Sequence, residues 1–218
     1  MLKCVIFDFD GTLADTNAGI VATFKKTVGM LGLECPSDEA ISATIGLPLK
    51  QNFLVAVPGI SDEKADECVS TYRSIFYETG VSEITLFPYV ADTLRLLRTM
   101  GLQSVVATSR GHRSLSLISD NLGISGLLDG CCCAEDVEHH KPAPDLVELI
   151  LSNRSLDRSE VMVVGDTTYD LMMGQAAGVK VCGVTWGNHS REVLSACAPD
   201  FIIDSMTELP GICSDSMK

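Results

Sequence analysis

Six short runs in this chain are apolar almost throughout rather than at every second residue: 5–7, 104–107, 127–133, 161–164, 179–184 and 201–203. A strand with one wet face alternates apolar and polar residues, so unbroken apolar runs predict strands covered on both faces. Helical patterns lie between most of them. Val90, Leu94 and Leu97 share one helix face that ends near Gly101, and Leu115, Ile118 and Leu122 share another that ends at Gly123. Strand alternating with helix in this way predicts an α/β fold with a parallel sheet between two helical layers.

The alternation breaks between residues 16 and 82. Val21, Phe24, Val28 and Leu31 form one helical stripe. Ser37 is placed to cap a short second helix, Pro48 to open a third, and Ser61 to cap a fourth that carries Ala65, Cys68, Val69, Tyr72 and Phe76. Four helices between the first sheet strand and all the others read as an insertion. The sequence therefore predicts a core formed by 1–15 and 83–218 and a small all-α cap formed by 16–82.

With 16 basic against 29 acidic side chains the net charge is −13, a field that repels nucleic acid and anionic membranes. No apolar stretch reaches the roughly 20 residues a membrane span needs. The N-terminal apolar run is cut by Asp8 and Asp10 before a secretory signal can form. These features predict a cytoplasmic protein, and an odd count of nine cysteines fits reduced thiols there better than a disulfide framework. Cys131, Cys132 and Cys133 are consecutive, so on a strand they alternate faces and cannot all converge on one ion.

Ligands of an open parallel sheet sit beyond the carboxyl ends of its strands. After the first run comes Asp8-Phe9-Asp10-Gly11-Thr12, after the second Thr108-Ser109-Arg110, after the third Lys141-Pro142, and after the fourth Gly165-Asp166-Thr167-Thr168-Tyr169-Asp170. Crowded carboxylates do not all stay ionised unless a cation joins them, and hard oxygen ligands suit Mg²⁺. A phosphoryl group in transfer needs such a cation together with donors such as Thr108 and Lys141. In this pattern Asp8 is placed as a nucleophile towards phosphorus, and Asp10, beyond a turn at Gly11, as a general acid and base.

DFDGT, the Thr108-Ser109 pair, KPAPD around Lys141 and GDTTYD, in that order, resemble the four motifs of the haloacid dehalogenase superfamily of phosphohydrolases. The resemblance covers nearly the whole chain. It implies a Rossmann-like core, a Mg²⁺ cofactor and a helical cap inserted after the first motif. It further implies that Asp8 is the nucleophile and Asp10 the acid and base, and that Asp8, the Asp10 main-chain carbonyl and Asp166 hold the metal with Asp170 in support. Gly11, Thr108 and Ser109 would serve the phosphate, and Lys141 would balance the charge of Asp8 and the phosphoryl group. Asp10 favours phosphate esters over the superfamily's dehalogenase chemistry. Leu86-Phe87-Pro88-Tyr89 and KPAPD resemble the phosphoglycolate phosphatase branch, whose near relatives include pyrophosphatases and β-phosphoglucomutases.

The predicted substrate is a small phosphorylated metabolite, with the oligomeric state left open. A mutase, a pyrophosphatase and, outside enzymes, a phospho-accepting signalling receiver are the alternatives; a receiver would lack the inserted cap. The Gly46–Lys50 segment is placed to overhang the site. Lys50 and Arg73 are candidates for an anionic leaving group, although solvated faces suit both. Arg110 could face substrate or pair with an acid. Trp186 reads as packing, and His139 and His140 as surface loop residues.

Overall fold

The computed structural model describes residues 1–80 and 84–215. Six parallel strands form one sheet: β1 (Cys4–Phe7), β4 (Gln103–Ala107), β5 (Gly130–Cys132), β6 (Val161–Gly165), β7 (Lys180–Val184) and β8 (Phe201–Ile203). Between β1 and β4 in the chain come β2 (Ala14–Asp15) and β3 (Thr85–Leu86), which pair antiparallel as a separate two-stranded ribbon. The sheet order is β5-β4-β1-β6-β7-β8, so the chain builds outward from β1 on one side and then crosses back to build on the other. The crevice where this direction reverses opens at the carboxyl end of β1.

Both faces of the sheet are covered. Val5, Phe7, Val106, Met162 and Val164 enter one apolar core, and Cys4, Ile6, Val105, Ala107, Val161 and Val163 enter the other. Helices α5 (Val90–Thr99), α6 (His112–Asn121) and α10 (Leu209–Asp215) contribute to the first core; α7 (Asp145–Arg154), α8 (Thr168–Ala176) and α9 (Arg191–Ser195) contribute to the second. This is the α/β arrangement the unbroken apolar runs predict. One run differs: of 127–133 only Gly130–Cys132 joins the sheet, because Ser125–Leu127 winds into a 3-10 turn and pairing with β4 begins at Gly130 opposite Val105.

From residue 17 onward the intervening segment is helical: α1 (Asn17–Met30), α2 (Asp38–Ser42), α3 (Leu49–Ala56) and α4 (Asp62–Ile75), followed by a wider helical turn over Phe76–Gly80. Ser37 and Ser61 accept from the amides of Ala40 and Lys64, both at 3.2 Å, and such caps contribute about 1 kcal/mol each. Phe24 stacks on Phe53 at 4.2 Å between ring centroids, Phe53 meets the edge of Tyr72, and Tyr72 stacks on Phe76, so α1, α3 and α4 share an aromatic core. The predicted boundary at 82/83 lies outside the described residues. No helix among the described residues is long and apolar enough to cross a membrane.

Candidate active site

Register places the chemistry. Phe7 lies opposite both Val106 and Val164, so the residues that leave β1, β4 and β6 emerge together at one edge: Asp8, Thr108 and Asp166. Lys141 reaches the same point from the loop after β5. Its ammonium donates to Asp8 Oδ1 at 2.5 Å and to Asp170 Oδ1 at 2.7 Å, with all three side chains buried. Asp170 Oδ2 accepts from the amide and hydroxyl of Thr167, which fixes it to the start of α8. Asp166 Oδ1 accepts from the Thr12 hydroxyl, and Oδ2 from both the amide and the side chain of Asn188. Carboxylate oxygens of Asp8, Asp166 and Asp170 lie within 4.8 Å of one another.

Asp10 is held apart from this cluster. Arg110 donates to both of its oxygens through Nε, at 2.9 and 2.7 Å, and through Nη2 at 2.6 Å, while Thr16 donates its hydroxyl at 2.6 Å. The guanidinium also lies over the Phe76 ring, 5.0 Å from its centroid. So Lys141 alone does not make the Asp8-Asp10 pair tolerable: each carboxylate has its own cation, and Asp10's is Arg110, a residue whose role the sequence leaves open.

The electrostatics of the cluster follow from burial. Desolvation pushes Asp8 well above the ordinary carboxylate range against the pull of Lys141, and Asp170, Asp166 and Asp10 push it further. Asp166 is raised to about 7, by burial and then by Asp170, against the bonds from Asn188 and Thr12. Burial alone would lower Lys141, but Asp170 and Asp8 more than reverse this. With all four ionised, the buried or half-buried carboxylates (Asp8, Asp10, Asp166, Asp170) outnumber the two cations (Lys141, Arg110) by two negative charges, and that uncompensated excess is what raises Asp8 and Asp166. A single divalent cation cancels that excess, and each carboxylate oxygen keeps lone pairs for it. The donor set therefore fits a hard divalent ion.

A cavity of about 650 Å³ opens beside the cluster and meets it at Asp8. Asp8, Asp10, Thr108, Ser109 and Arg110 line its floor side, and Gly46, Lys50, Arg73, Tyr72 and Phe76 line its helical side. Ser109 donates its hydroxyl to the Gly46 carbonyl at 2.6 Å, so the segment between α2 and α3 is tied directly to the end of β4. Thr108 is buried, its hydroxyl accepting from the Arg110 amide. Gly11 has a φ of +84°, and a Cβ there would collide with the Asp166 carboxylate, so both conformation and close approach require glycine.

All eight sequence candidates fall within this crevice: Asp8, Asp166, Asp170 and Lys141 in the cluster, Gly11 against Asp166, Thr108 and Ser109 on the cavity wall, and Asp10 on the wall with its carboxylate turned to Arg110. Lys50 lines the cavity yet is paired with Asp62 and Asp66, and Arg73 lines it as well. Trp186 donates its indole N–H to the Thr12 carbonyl and packs near Phe87. His139 is exposed and pairs with Asp145, as expected of a surface loop; His140, expected at the surface too, lines the cavity instead. Three supports have no role assigned from the sequence: Thr12, which stands in the DFDGT motif, Thr16 and Asn188. A threonine two residues past the second aspartate carries a weak signal, and Asn188 carries none, since it sits in a loop without a motif.

Residues 5–184 match the family profile of the haloacid dehalogenase-like hydrolases. The chain is 36% identical to "Probable phosphatase IndB" of Dickeya dadantii over 100% of this chain and 96% of that protein. It is also 36% identical to the pyrophosphatase PpaX of Bacillus velezensis, over 95% of this chain and 94% of that one. A solved haloacid dehalogenase-like family hydrolase from Streptococcus pneumoniae superposes with a TM-score of 0.86 at 26% identity, covering 97% of this chain and 98% of its own. With its profile match, full-length relatives and parallel α/β core, this chain belongs to the haloacid dehalogenase-like hydrolases and is a phosphatase of that family.

Proposed function

We propose that the protein is a Mg²⁺-dependent phosphatase that hydrolyses a small phosphorylated metabolite through an aspartyl-phosphate on Asp8, with 16–82 acting as a cap over a core of 1–15 and 83–218. The observation that carries this reading is the Asp8 carboxylate: it ends the central strand, is held by Lys141 at 2.5 Å, and borders both the acidic cluster and the cavity. Asp8, Asp166 and the Asp10 main-chain carbonyl would hold Mg²⁺, with Asp170 in support. The ion, when bound, would neutralise phosphoryl charge.

The remaining chemistry belongs to the chain. A carboxylate oxygen of Asp8 attacks phosphorus and the bond to the leaving oxygen breaks, that oxygen taking a proton from Asp10. Asp10 then accepts a proton from water as the water oxygen attacks the aspartyl-phosphate, which releases inorganic phosphate and restores Asp8. To reach the leaving group, Asp10 has to turn away from Arg110, which now occupies both of its oxygens. Thr108 and the Ser109 amide would grip the non-transferring oxygens, and Lys141 would keep Asp8 ionised.

Phosphate release measured across pyrophosphate, phosphoglycolate, sugar phosphates and nucleotides tests this proposal. Turnover is expected only with Mg²⁺ and is expected to be abolished by a chelator; no release from any of these with Mg²⁺ present overturns it. Arg73 on the cavity wall supports substrates with anionic leaving groups, as pyrophosphate and phosphoglycolate both have, whereas Lys50 and Arg110 are already paired with acids; the PpaX relatives support pyrophosphate in particular. Conversion of a sugar phosphate to its isomer without phosphate release would identify a mutase instead.

The raised Asp166 adds a pH dependence. A carboxylate with a folded pKa near 7 holds a proton that it lacks in the unfolded chain, so the metal-free protein is expected to lose stability as pH rises from about 4 to about 7. Mg²⁺ binding requires the ionised form, so its apparent affinity is expected to rise over the upper part of that range. Melting temperatures against pH, with and without Mg²⁺, should therefore diverge as pH increases; parallel curves would count against metal binding at Asp166.

A further inference from the structure

Away from the carboxylate cluster, at the edge of the sheet, we propose that His112, Cys131 and Cys133 form a binding site for a thiophilic metal ion, with Zn²⁺ as the reference ion. β5 is one of the sheet's two edge strands, and Cys133 continues its extended backbone at φ −111° and ψ 166°. Cys132 therefore turns into the core with Val105 and Ala107, while Cys131 and Cys133, two residues apart, share the other side. Three consecutive cysteines on a strand still cannot all converge on one ion. Cys131 and Cys133 can do so together with a third residue from elsewhere.

That third residue is His112, the first residue of α6. Its Nδ1 lies 3.7 Å from Cys131 Sγ, and the three ligand atoms all fall within 4.8 Å of one another. Zinc bonds of about 2.3 Å to sulfur and about 2.0–2.1 Å to nitrogen at a tetrahedral angle put N and S about 3.6 Å apart, close to this spacing. The ring is already oriented for the task. Its Nε2 lies 2.9 Å from Asp136 Oδ1, and an ionised carboxylate only accepts, so Nε2 carries the proton and Nδ1 presents its lone pair to the thiols. The other oxygen of Asp136 accepts from the Cys133 amide at 2.8 Å, so one carboxylate positions both the imidazole and the segment carrying a thiol.

Two sulfurs and an imidazole select Zn²⁺ or Cu⁺ rather than Mg²⁺, the reverse of the oxygen-lined active site. Three protein ligands leave one coordination position for water or an external ligand. An ion here would also tie two loops together: the Ala134 amide already donates to the Arg110 carbonyl, and the His112 amide to Glu135. The loop being tied is the one that carries Thr108, Ser109 and Arg110.

The test is titration of the reduced, full-length protein in millimolar Mg²⁺ with Zn²⁺ against a chromophoric chelator, and separately with Co²⁺ while recording the thiolate-to-metal charge-transfer absorption that carboxylates do not give. One equivalent of bound ion with that absorption is expected. Cys131→Ser and His112→Ala, both at exposed positions, are expected to keep the fold and to weaken binding by about tenfold or more, and Asp136→Asn by about 10–100-fold. Cys35→Ser, at an exposed cysteine of the helical segment, should change nothing. Absence of the absorption, its survival in both surface variants, or zinc binding that excess Mg²⁺ displaces would each overturn the assignment.

Discussion

Asp8→Asn is expected to reduce phosphate release to background, a loss of roughly four to six orders of magnitude in kcat, the range seen when a nucleophile is removed from a site that otherwise stays intact. The substitution preserves shape, so the amide fills the same buried space beside Lys141, whose ammonium keeps its bond to Asp170 at 2.7 Å. An amide oxygen does not form a stable bond to phosphorus, so attack fails while the cavity and the Thr108 and Ser109 contacts survive. The fold should hold as well: the change removes one of several crowded carboxylates, and burial together with three acidic neighbours already disfavours the ionised form of Asp8. An unchanged or raised melting temperature, with no covalent phosphoprotein detectable by mass after mixing with substrate, is the expected outcome. Retained turnover would remove Asp8 from the nucleophile role and return the choice to the other acids of the cluster.

The site was largely legible because its residues follow strands. Unbroken apolar runs mark strands buried on both faces, and parallel register then carries whatever follows Phe7, Ala107 and Gly165 to one edge. Residue type and order at those three strand ends, with Lys141, are enough to group Asp8, Thr108 and Asp166. The cap helices were legible for a different reason. Ser37 and Ser61 announce helix starts through their own chemistry, and both caps form.

What escaped depends on contacts that sequence order does not encode. Two-residue strands such as β2 and β3 are too short to show a period, and they exist only because the chain returns from the cap alongside its point of departure. Asn188 lies 22 residues beyond Asp166, in a loop whose path is set by tertiary packing, yet it supplies two of the three hydrogen bonds that orient that carboxylate. Arg110 was visible as the residue after Thr108 and Ser109 at the end of a strand. Its guanidinium is turned to Asp10 and covered by Phe76, a residue that the inserted segment brings to its face, and sequence order encodes neither contact.

Lys141→Met is expected to cost both activity and stability, and Mg²⁺ should restore only the second. The ammonium is fully buried between Asp8 and Asp170. Removing one partner of a buried ion pair typically costs about 3–5 kcal/mol, because the charge left behind is uncompensated. In a chain of this size each kcal/mol moves the melting temperature by roughly 2–4 °C, so a fall of about 6–20 °C is expected for the metal-free protein. A divalent ion among Asp8, Asp166 and Asp170 would offset much of that excess charge, so the gap between variant and parent should narrow as Mg²⁺ is added. Catalysis should not follow. Methionine fills the space without a positive charge to hold Asp8 ionised or to face the phosphoryl oxygens, and loss of one such group typically lowers kcat about 10²–10³-fold. Recovery of turnover along with stability would show that Lys141 only neutralises buried carboxylates and takes no part in phosphoryl transfer.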